Sequence, residues 1–510
     1  MAYGTTNSPS VVLYEPVYWQ QMTVQRAPLG LLSISSLLNE AGYAISIISR
    51  TLFEKPEEKV IEDCRQAICF GITALTGYQI ADGLRVARMV KEAYPELPIV
   101  WGGWHPTLEP KTTLASPYVD ILVRGQGERV FTELVQAIEQ GETLDGIPGV
   151  SYKKAGQAFH NPPRPLEDIN NFPPVPYHLI DVEKILSNDE YGSRVINYVS
   201  SVGCPYKCGF CSEWALSGRK WFGLSAQRMA DDFERFVRKY KVDCIAVNDT
   251  QFFLSKDRVT GFCEELLKRK MDVKWDNVEG NIRTLLEWED EIWELMHRSG
   301  CRSLLVGSES GFPDALRLIG KNLTVEETVL FAAKAKKHDF RVLYSMILGL
   351  PWGPDIATTQ QLIDREIGLT LDLADKIIAM GAAKVRMMLA TYTPYPGTPM
   401  WESGLSLGLN PPRNLEEWQD WNQRTVVTPW VAYRQAKLIR FVGEHVFFFL
   451  DVESYGWVTA RVRSLPARLV LKAVYLVFIQ IAKFRWKNRF FSFPVDFWVY
   501  RLGRRILGVG

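Results

Sequence analysis

Three cysteines stand close together in a chain that uses cysteine sparingly. Residues 201–211 read SVGCPYKCGFC, which sets Cys204, Cys208 and Cys211 in a C-x3-C-x2-C triplet just after a β-rich run. Thiolates are the preferred ligands of iron–sulfur clusters, and a tight loop can bring three of them onto one cubane. Three ligands leave the fourth iron of a [4Fe–4S] cluster without a protein donor. That open position is what metal-based chemistry on a bound molecule requires. A structural zinc site is the alternative, but such sites are closed by a fourth Cys or His, and none stands at short spacing here. Cys64, Cys69, Cys244, Cys263 and Cys301 fall in apolar or helical contexts and read as buried core thiols. His160, His178, His297, His338 and His445 are scattered and suggest no metal constellation.

At 510 residues, 47% hydrophobic and 23% charged, the chain has the profile of a folded protein of two to four domains. A net charge of +1 gives no global basic field, which argues against a nucleic-acid partner. The cysteine spacing is not that of a secreted disulfide framework. The first residues, MAYGTTNSPSVVLYEP, show no basic stretch followed by an apolar one, so no signal peptide is expected. A reducing cytosol fits best.

Two runs of strand–helix alternation must position the cysteines. In the first, strands are expected at 11–13, 44–48, 68–73, 99–101 and 120–123, with helices at 29–41, 80–93 and 130–140. That spacing argues for a parallel, doubly wound α/β sheet with its ligand crevice at the carboxyl ends of the strands. The loops there bear glycine: Gly102-Gly103 after the fourth strand, and Gly125-Gln126-Gly127-Glu128 after the fifth. The proline-dense stretch 161–181 reads as a semi-rigid linker. Alternation resumes with strands expected at 195–199, 244–247, 304–307, 342–348 and 384–389, which suits a full or partial parallel barrel. The expected division is 1–160, a linker 161–192, a barrel 193–400 and a helical region 401–510.

CPYKCGFC resembles the signature loop of the radical S-adenosylmethionine (SAM) enzymes. The resemblance implies that the fourth iron binds the amino and carboxylate groups of SAM, with Phe210 near the adenine. Residues 247–253, VNDTQFF, resemble the family's acidic segment on the second barrel strand, with Asn248-Asp249 in place of the usual acidic pair. Asp249 is the implied SAM contact there. GSESG at 307–311 resembles the segment that lies along SAM, implying Glu309 and Ser310, although a glutamate capping the next helix is the alternative for Glu309. Gly349-Leu350-Pro351 matches the fifth-strand turn, implying Gly349 and Pro351, and PYPGTP at 394–399 resembles a motif of the B12-binding branch. Residues 1–160 resemble that branch's cobalamin-binding domain through Pro28-Leu29-Gly30, the 102–107 segment GGWHPT and Gly125–Glu128. The implied cobalamin contacts are Thr73, Gly102, Gly103, His105, Pro106, Gly125, Gly127 and Glu128. The D-x-H-x-x-G sequence that supplies a histidine to cobalt in many B12 proteins is absent. His105 is the tempting substitute, but its place before a proline in a turn favours a scaffold role, which leaves cobalamin bound without a histidine ligand or the domain without the cofactor. Trp275, Glu279 and Arg283 are candidates for the substrate pocket, with packing as the alternative.

After Glu453 the only acid is Asp496, while Lys and Arg alternate with aromatic and aliphatic residues. Residues 469–482, LVLKAVYLVFIQIA, are too short and interrupted for a spanning helix and suit one lying in a membrane interface. A basic lid on the barrel or an oligomer contact is the alternative. The resemblance implies a cobalamin-dependent radical SAM C-methyltransferase: a 5′-deoxyadenosyl radical abstracts hydrogen, and methylcobalamin supplies the methyl group. Members of this branch act on hopanoids, isoprenoid lipids, chlorophyll precursors and natural products, so a small-molecule or lipid substrate is expected. An electron donor of the flavodoxin or ferredoxin kind is implied as well. The expected location is cytoplasmic, peripheral on the inner face of the membrane. A radical SAM cyclase using the same cofactors, and a membrane-bound scaffold with a degenerate cofactor domain, are the competing readings.

Overall fold

The computed structural model describes residues 10–17, 25–381, 384–422, 428–451 and 465–506. Its first sheet has seven strands: β1 (Ser10–Glu15), β2 (Ala44–Ser49), β3 (Ala67–Thr73), β4 (Ile99–Gly102), β5 (Ile121–Val123), β6 (Val150–Lys154) and β7 (Gln157–His160). Their order is β2-β1-β3-β4-β5-β6-β7. The first five are parallel, and Val11, Val12, Leu13 and Tyr14 of β1 are all buried, as a strand covered on both faces requires. Helix Leu29–Glu40 packs on Gly127–Gln140, and Pro56–Cys64 packs on Tyr78–Ala93. The strand order reverses between β1 and β3, so the crevice opens at their carboxyl ends. The antiparallel hairpin β6–β7 was not expected from the sequence. Its turn uses Ala155 and Gly156, both at positive φ, as a two-residue hairpin turn demands.

The second unit contains β8 (Val195–Tyr198), β9 (Ser201–Gly203), β10 (Trp221–Gly223), β11 (Cys244–Val247), β12 (Lys274–Asp276), β13 (Val278–Gly280), β14 (Ser303–Glu309), β15 (Arg341–Leu348) and β16 (Val385–Thr391). Parallel ladders join β8-β11-β12 and β13-β14-β15-β16. Only Asn277, at φ +55°, separates β12 from β13, so the two are one broken strand. The result is a six-position arc, a partial barrel edged by β8 and β16, with a single antiparallel bridge joining Val195 of β8 to Ser187. The hairpin β9–β10, also unexpected, carries the cysteine loop between its strands.

The proline-dense stretch does more than connect. It contains 3-10 turns at Ile169–Asn171 and Tyr177–Leu179, and Arg129 and Gln126 of the first unit bind Glu167 within it. After the barrel, helices Tyr433–Phe441 and Phe447–Leu450 and the π-turn Val442–Val446 between them pack on β16. Helix Leu465–Lys487 packs against them in turn, and Val495–Ile506 follows it. Arg485 closes this last pair by holding Asp496 at 2.6 Å and the carbonyls of Phe490, Ser492 and Phe493. No helix of the described residues is long and apolar enough to cross a membrane.

Candidate active site

The cysteine loop is clamped by its backbone. Gly209 N–H donates to Ile319 O at 2.7 Å, and Gly209 O accepts from Met400 N at 3.1 Å. The start of helix Pro399–Ser406 therefore braces the loop from one side and the end of helix Pro313–Leu318 braces it from the other. Cys204, Cys208 and Cys211 are each partly exposed, and each feels the charge of at least one neighbour in the triplet or of Lys321. Burial pushes the thiols of Cys204 and Cys211 up to about 11 and about 12, and raises that of Cys208. Thiols so placed become good ligands only when a metal supplies the opposing charge.

Beside the loop lies the carboxyl end of the barrel. Glu309, at φ +58°, forms an ion pair with Lys321 Nζ at 2.8 Å. Burial alone would lower the Lys321 ammonium, but Glu309 and then Cys208 outweigh it and hold it above the usual lysine range. Gly307 makes room for this pair, because a Cβ there would strike Glu309 Oε1 and lie 2.8 Å from Lys321 Nζ. Glu279 faces the same lumen; burial first, then Glu309, pushes its carboxyl up to about 7. Glu213, two residues past the last cysteine, is likewise pushed up to about 7 by burial. Gly349 and Pro351 stand at the same end, after β15. Glu366 accepts from Gly349 N at 2.9 Å, and Trp430 Nε1 donates to Gly349 O at 3.0 Å, so the turn is held from both sides.

Several expected contacts are placed elsewhere. Asp249 is buried and engaged by its own neighbours, including Arg258 at 3.9 Å. It accepts from Ser200 N (2.6 Å), Ser200 Oγ (2.7 Å) and Ser201 Oγ (2.6 Å), which anchors the root of the cysteine loop. Its neighbour Asn248 faces inward, paired with Asn197 at 2.8 Å. Ser310 turns outward to Thr370 Oγ1 at 3.1 Å and accepts from Phe312 N. Trp275 is buried outside the barrel, with Nε1 donating to Ser299 O, and Arg283 is a half-exposed partner of Glu327. Of the three pocket candidates only Glu279 reaches the lumen. Phe210 is partly buried on the loop beside its cysteines. Cys244 is fully buried, as read from the sequence, and meets Asp189 and Asp276 in the barrel, their ligand atoms all within 4.8 Å of one another. Lys321, Glu213 and Glu366 escaped the sequence reading; an acid two places beyond Cys211 was the one local signal available.

A cavity of about 490 Å³ separates the two units. Thr73, Gly102, Gly103, Gly125, Gly127 and Glu128 line it from the sheet, and Gly203, Glu213, Ser217 and Asn248 line it from the barrel. Phe172 and Tyr177 of the connecting stretch form part of its wall. Gly103 is at φ +99°, where a side chain would crowd Thr73 and Ala74, and Glu128 accepts from Ser33 Oγ at 2.6 Å. His105 and Pro106 do not line the cavity, whereas Trp104 and Thr107 do. The His105 ring is fully buried against Trp418 at 5.3 Å, with Nδ1 3.1 Å from Thr76 Oγ1, and burial drives its pKa down to about 3. Its ring packs on Trp418, beyond the barrel strands, rather than facing the cavity as the expected cobalamin contacts Thr73, Gly103 and Glu128 do.

Residues 24–135 match the family model of the B12 binding domain, and residues 198–359 match that of the radical SAM superfamily. The chain belongs to the cobalamin-binding radical SAM enzymes. An uncharacterized methyltransferase of Pyrococcus horikoshii is 29% identical over 428 residues, 82% of this chain and 85% of its own. The anaerobic magnesium-protoporphyrin IX monomethyl ester cyclase of Rubrivivax gelatinosus is 26% identical over 309 residues, 56% of this chain and 55% of its own. Among solved structures, the cobalamin-dependent SAM radical enzyme OxsB with aqua-cobalamin and SAM bound has a TM-score of 0.69 at 17% identity. That match covers 94% of this chain and 72% of the other, and it speaks for the fold.

The radical SAM enzyme's cofactors are a [4Fe–4S] cluster, SAM and cobalamin. The donor set fits the cluster: three thiols stand on one short loop whose backbone is clamped at Gly209. The Glu309–Lys321 pair places one charge of each sign beside Cys208. The cavity offers open glycine backbone to a bulky ring system, and no histidine of the described residues lines it.

Proposed function

We propose that this enzyme methylates an unactivated carbon of an apolar small molecule held between the sheet and the barrel. The observation that carries the reading is the shared cavity: the crevice of the B12-binding sheet and the back of the cysteine loop are two walls of one space. The cluster with SAM supplies a hydrogen-abstracting radical when bound, and cobalamin supplies the methyl group. The chain's own residues position and exclude. Cys204, Cys208 and Cys211 hold the cluster, and the clamp on Gly209 fixes their loop. Lys321 and Glu309 would meet the polar ends of SAM, and Phe210, Gly349 and Pro351 would complete its site. Thr73, Gly102, Gly103, Gly125, Gly127 and Glu128 seat the corrin. Glu279, whose carboxyl stays protonated up to about pH 7, donates a hydrogen bond to substrate inside the lumen. The connecting stretch adds Phe172, Val175 and Tyr177 to the cavity wall, apolar cover that limits water near a radical. An electron donor of the flavodoxin or ferredoxin class supplies the reducing electron.

The test is anaerobic purification with cobalamin present, followed by metal analysis and product mass. About four irons with one cobalt per chain, and a product heavier by one methyl group, support the reading. Iron and cobalt with a product that has lost hydrogen and gained no carbon would establish the cyclase chemistry named for the Rubrivivax relative instead. Iron without cobalt would remove methyl transfer from the mechanism.

A further inference from the structure

Helix Leu465–Lys487 presses one narrow stripe onto the protein: Tyr475, Ile479, Ala482 and Trp486, at spacings of four, three and four. A surface helix of this kind ordinarily carries polar residues everywhere else. Here the outward positions are Leu469, Val470, Val474, Leu476, Val477 and Phe484. The following turn and helix add Phe493, Val495, Trp498, Val499 and Leu502. These eleven side chains are 46–79% exposed, a density of apolar surface that marks an interaction site rather than a solvated face.

The charges on the same hairpin have one sign. Lys472, Lys483, Lys487 and Arg501 are exposed and make no ion pair among the described residues. The lone acid, Asp496, is buried between Arg485 and His445 and contributes nothing outward. We propose that this face docks on an anionic lipid bilayer, the apolar side chains entering the acyl boundary and the four cations meeting the headgroups. A second copy of the chain is a poor occupant, because apposing this face to itself brings cations against cations. Neither helix is both long and apolar enough to cross a bilayer, so the hairpin lies in the plane of the interface.

The hairpin is fixed to the part of the barrel that matters. Its buried stripe rests on Phe447–Leu450 and the π-turn, which rest on β16, and Arg489 pairs with Asp372 and Asp375 of helix Ile356–Gly381. Docking therefore turns β16, one of the two strands bordering the gap in the arc, toward the bilayer. A lipid-soluble substrate then passes from membrane to lumen without crossing bulk water. Docking itself requires none of the methylation chemistry, and the two are separable by experiment.

The experiment is flotation of the full-length, cluster-loaded protein with vesicles of phosphatidylcholine alone and of phosphatidylcholine with phosphatidylglycerol. Binding is expected only with the anionic vesicles and weakens with salt. Reversing Lys472, Lys483 and Lys487 to glutamate lowers it by at least about fivefold for each site. Val477→Asp with Trp498→Asp lowers it at least about tenfold. Iron content and SAM cleavage in solution stay at the parent level in these variants, which shows that they are folded and keeps docking apart from chemistry. Absence of binding to anionic vesicles, or binding unaltered in both variants, overturns the proposal. So does a concentration-dependent dimer in sedimentation that Val477→Asp with Trp498→Asp dissociates while vesicles are ignored.

Discussion

Replacing Lys321 with methionine removes one charge and almost no volume. Its partner Glu309 is left 7% exposed, with Glu279 adding like charge nearby and no other cation among the described residues in an ion pair with it. Two unit charges 2.8 Å apart attract by about 6 kcal/mol at an effective dielectric constant of ~20. Desolvation of both groups takes back much of that, so loss of one partner should cost about 3–5 kcal/mol. The double variant Lys321→Met with Glu309→Gln removes the stranded anion, and it should recover more than half of the loss. The assay is urea unfolding of the four apoproteins, prepared without metal because a bound cluster would add its own stabilisation. SAM cleavage by the reconstituted enzymes is the second readout. It should fall by about tenfold or more in both Lys321 variants, including the one whose stability recovers, since SAM has lost its cation. Additive stability changes, or a Lys321→Met loss under about 1 kcal/mol, would refute the ion-pair reasoning. Unchanged cleavage would remove Lys321 from the site.

Gly307→Ala places a Cβ against the Glu309–Lys321 pair, so cleavage should drop as in Lys321→Met with the fold retained; near-parent activity would mean the pair is dispensable. His105→Phe should bind cobalamin with an unaltered visible spectrum, and His105→Ala should cost about 1–2 kcal/mol from the void beside Trp418. A spectral change at cobalt in the phenylalanine variant would restore His105 as a ligand. Burial pushes the Glu366 carboxyl up to about 8 from its unfolded value near 4.5. The folded state therefore holds the extra proton between those limits, and this contribution to stability is full below about pH 4.5 and lost as pH approaches 8. Thermal unfolding should show that decline in the parent and a flatter profile in Glu366→Gln; parallel profiles would count against it.

The cysteine loop and the strand–helix alternation were legible because both are local. A triplet of thiols needs no partner to be read, and buried parallel strands such as 244–247 and 342–348 are apolar runs of the right length. What escaped depends on long-range geometry. Nothing near Asp249 announces that two serines fifty residues earlier consume its lone pairs. Ser310 is bound to Thr370 across sixty positions, and the burial of His105 comes from Trp418, more than three hundred residues away. Lys321 lies in an unremarkable turn and becomes a site residue only because β14 ends beside it. The hairpins β6–β7 and β9–β10 have strands of three to five residues, too short for periodicity to register.

The interruption between β12 and β13 has a consequence for which way acids point. Along a strand, side chains alternate between barrel interior and the surrounding helices. Trp275 faces the helices and Asp276 faces in, meeting Cys244; strict alternation would then turn Val278 inward and Glu279 out. The single left-handed residue, Asn277, consumes one step without a paired position and so resets the phase of the strand. Asparagine is among the few residues that take that conformation without much strain. Glu279 owes its place in the lumen to its neighbour's backbone. A substitution at position 277 that restored an extended strand would empty the lumen of a carboxyl group while leaving every lumen residue intact.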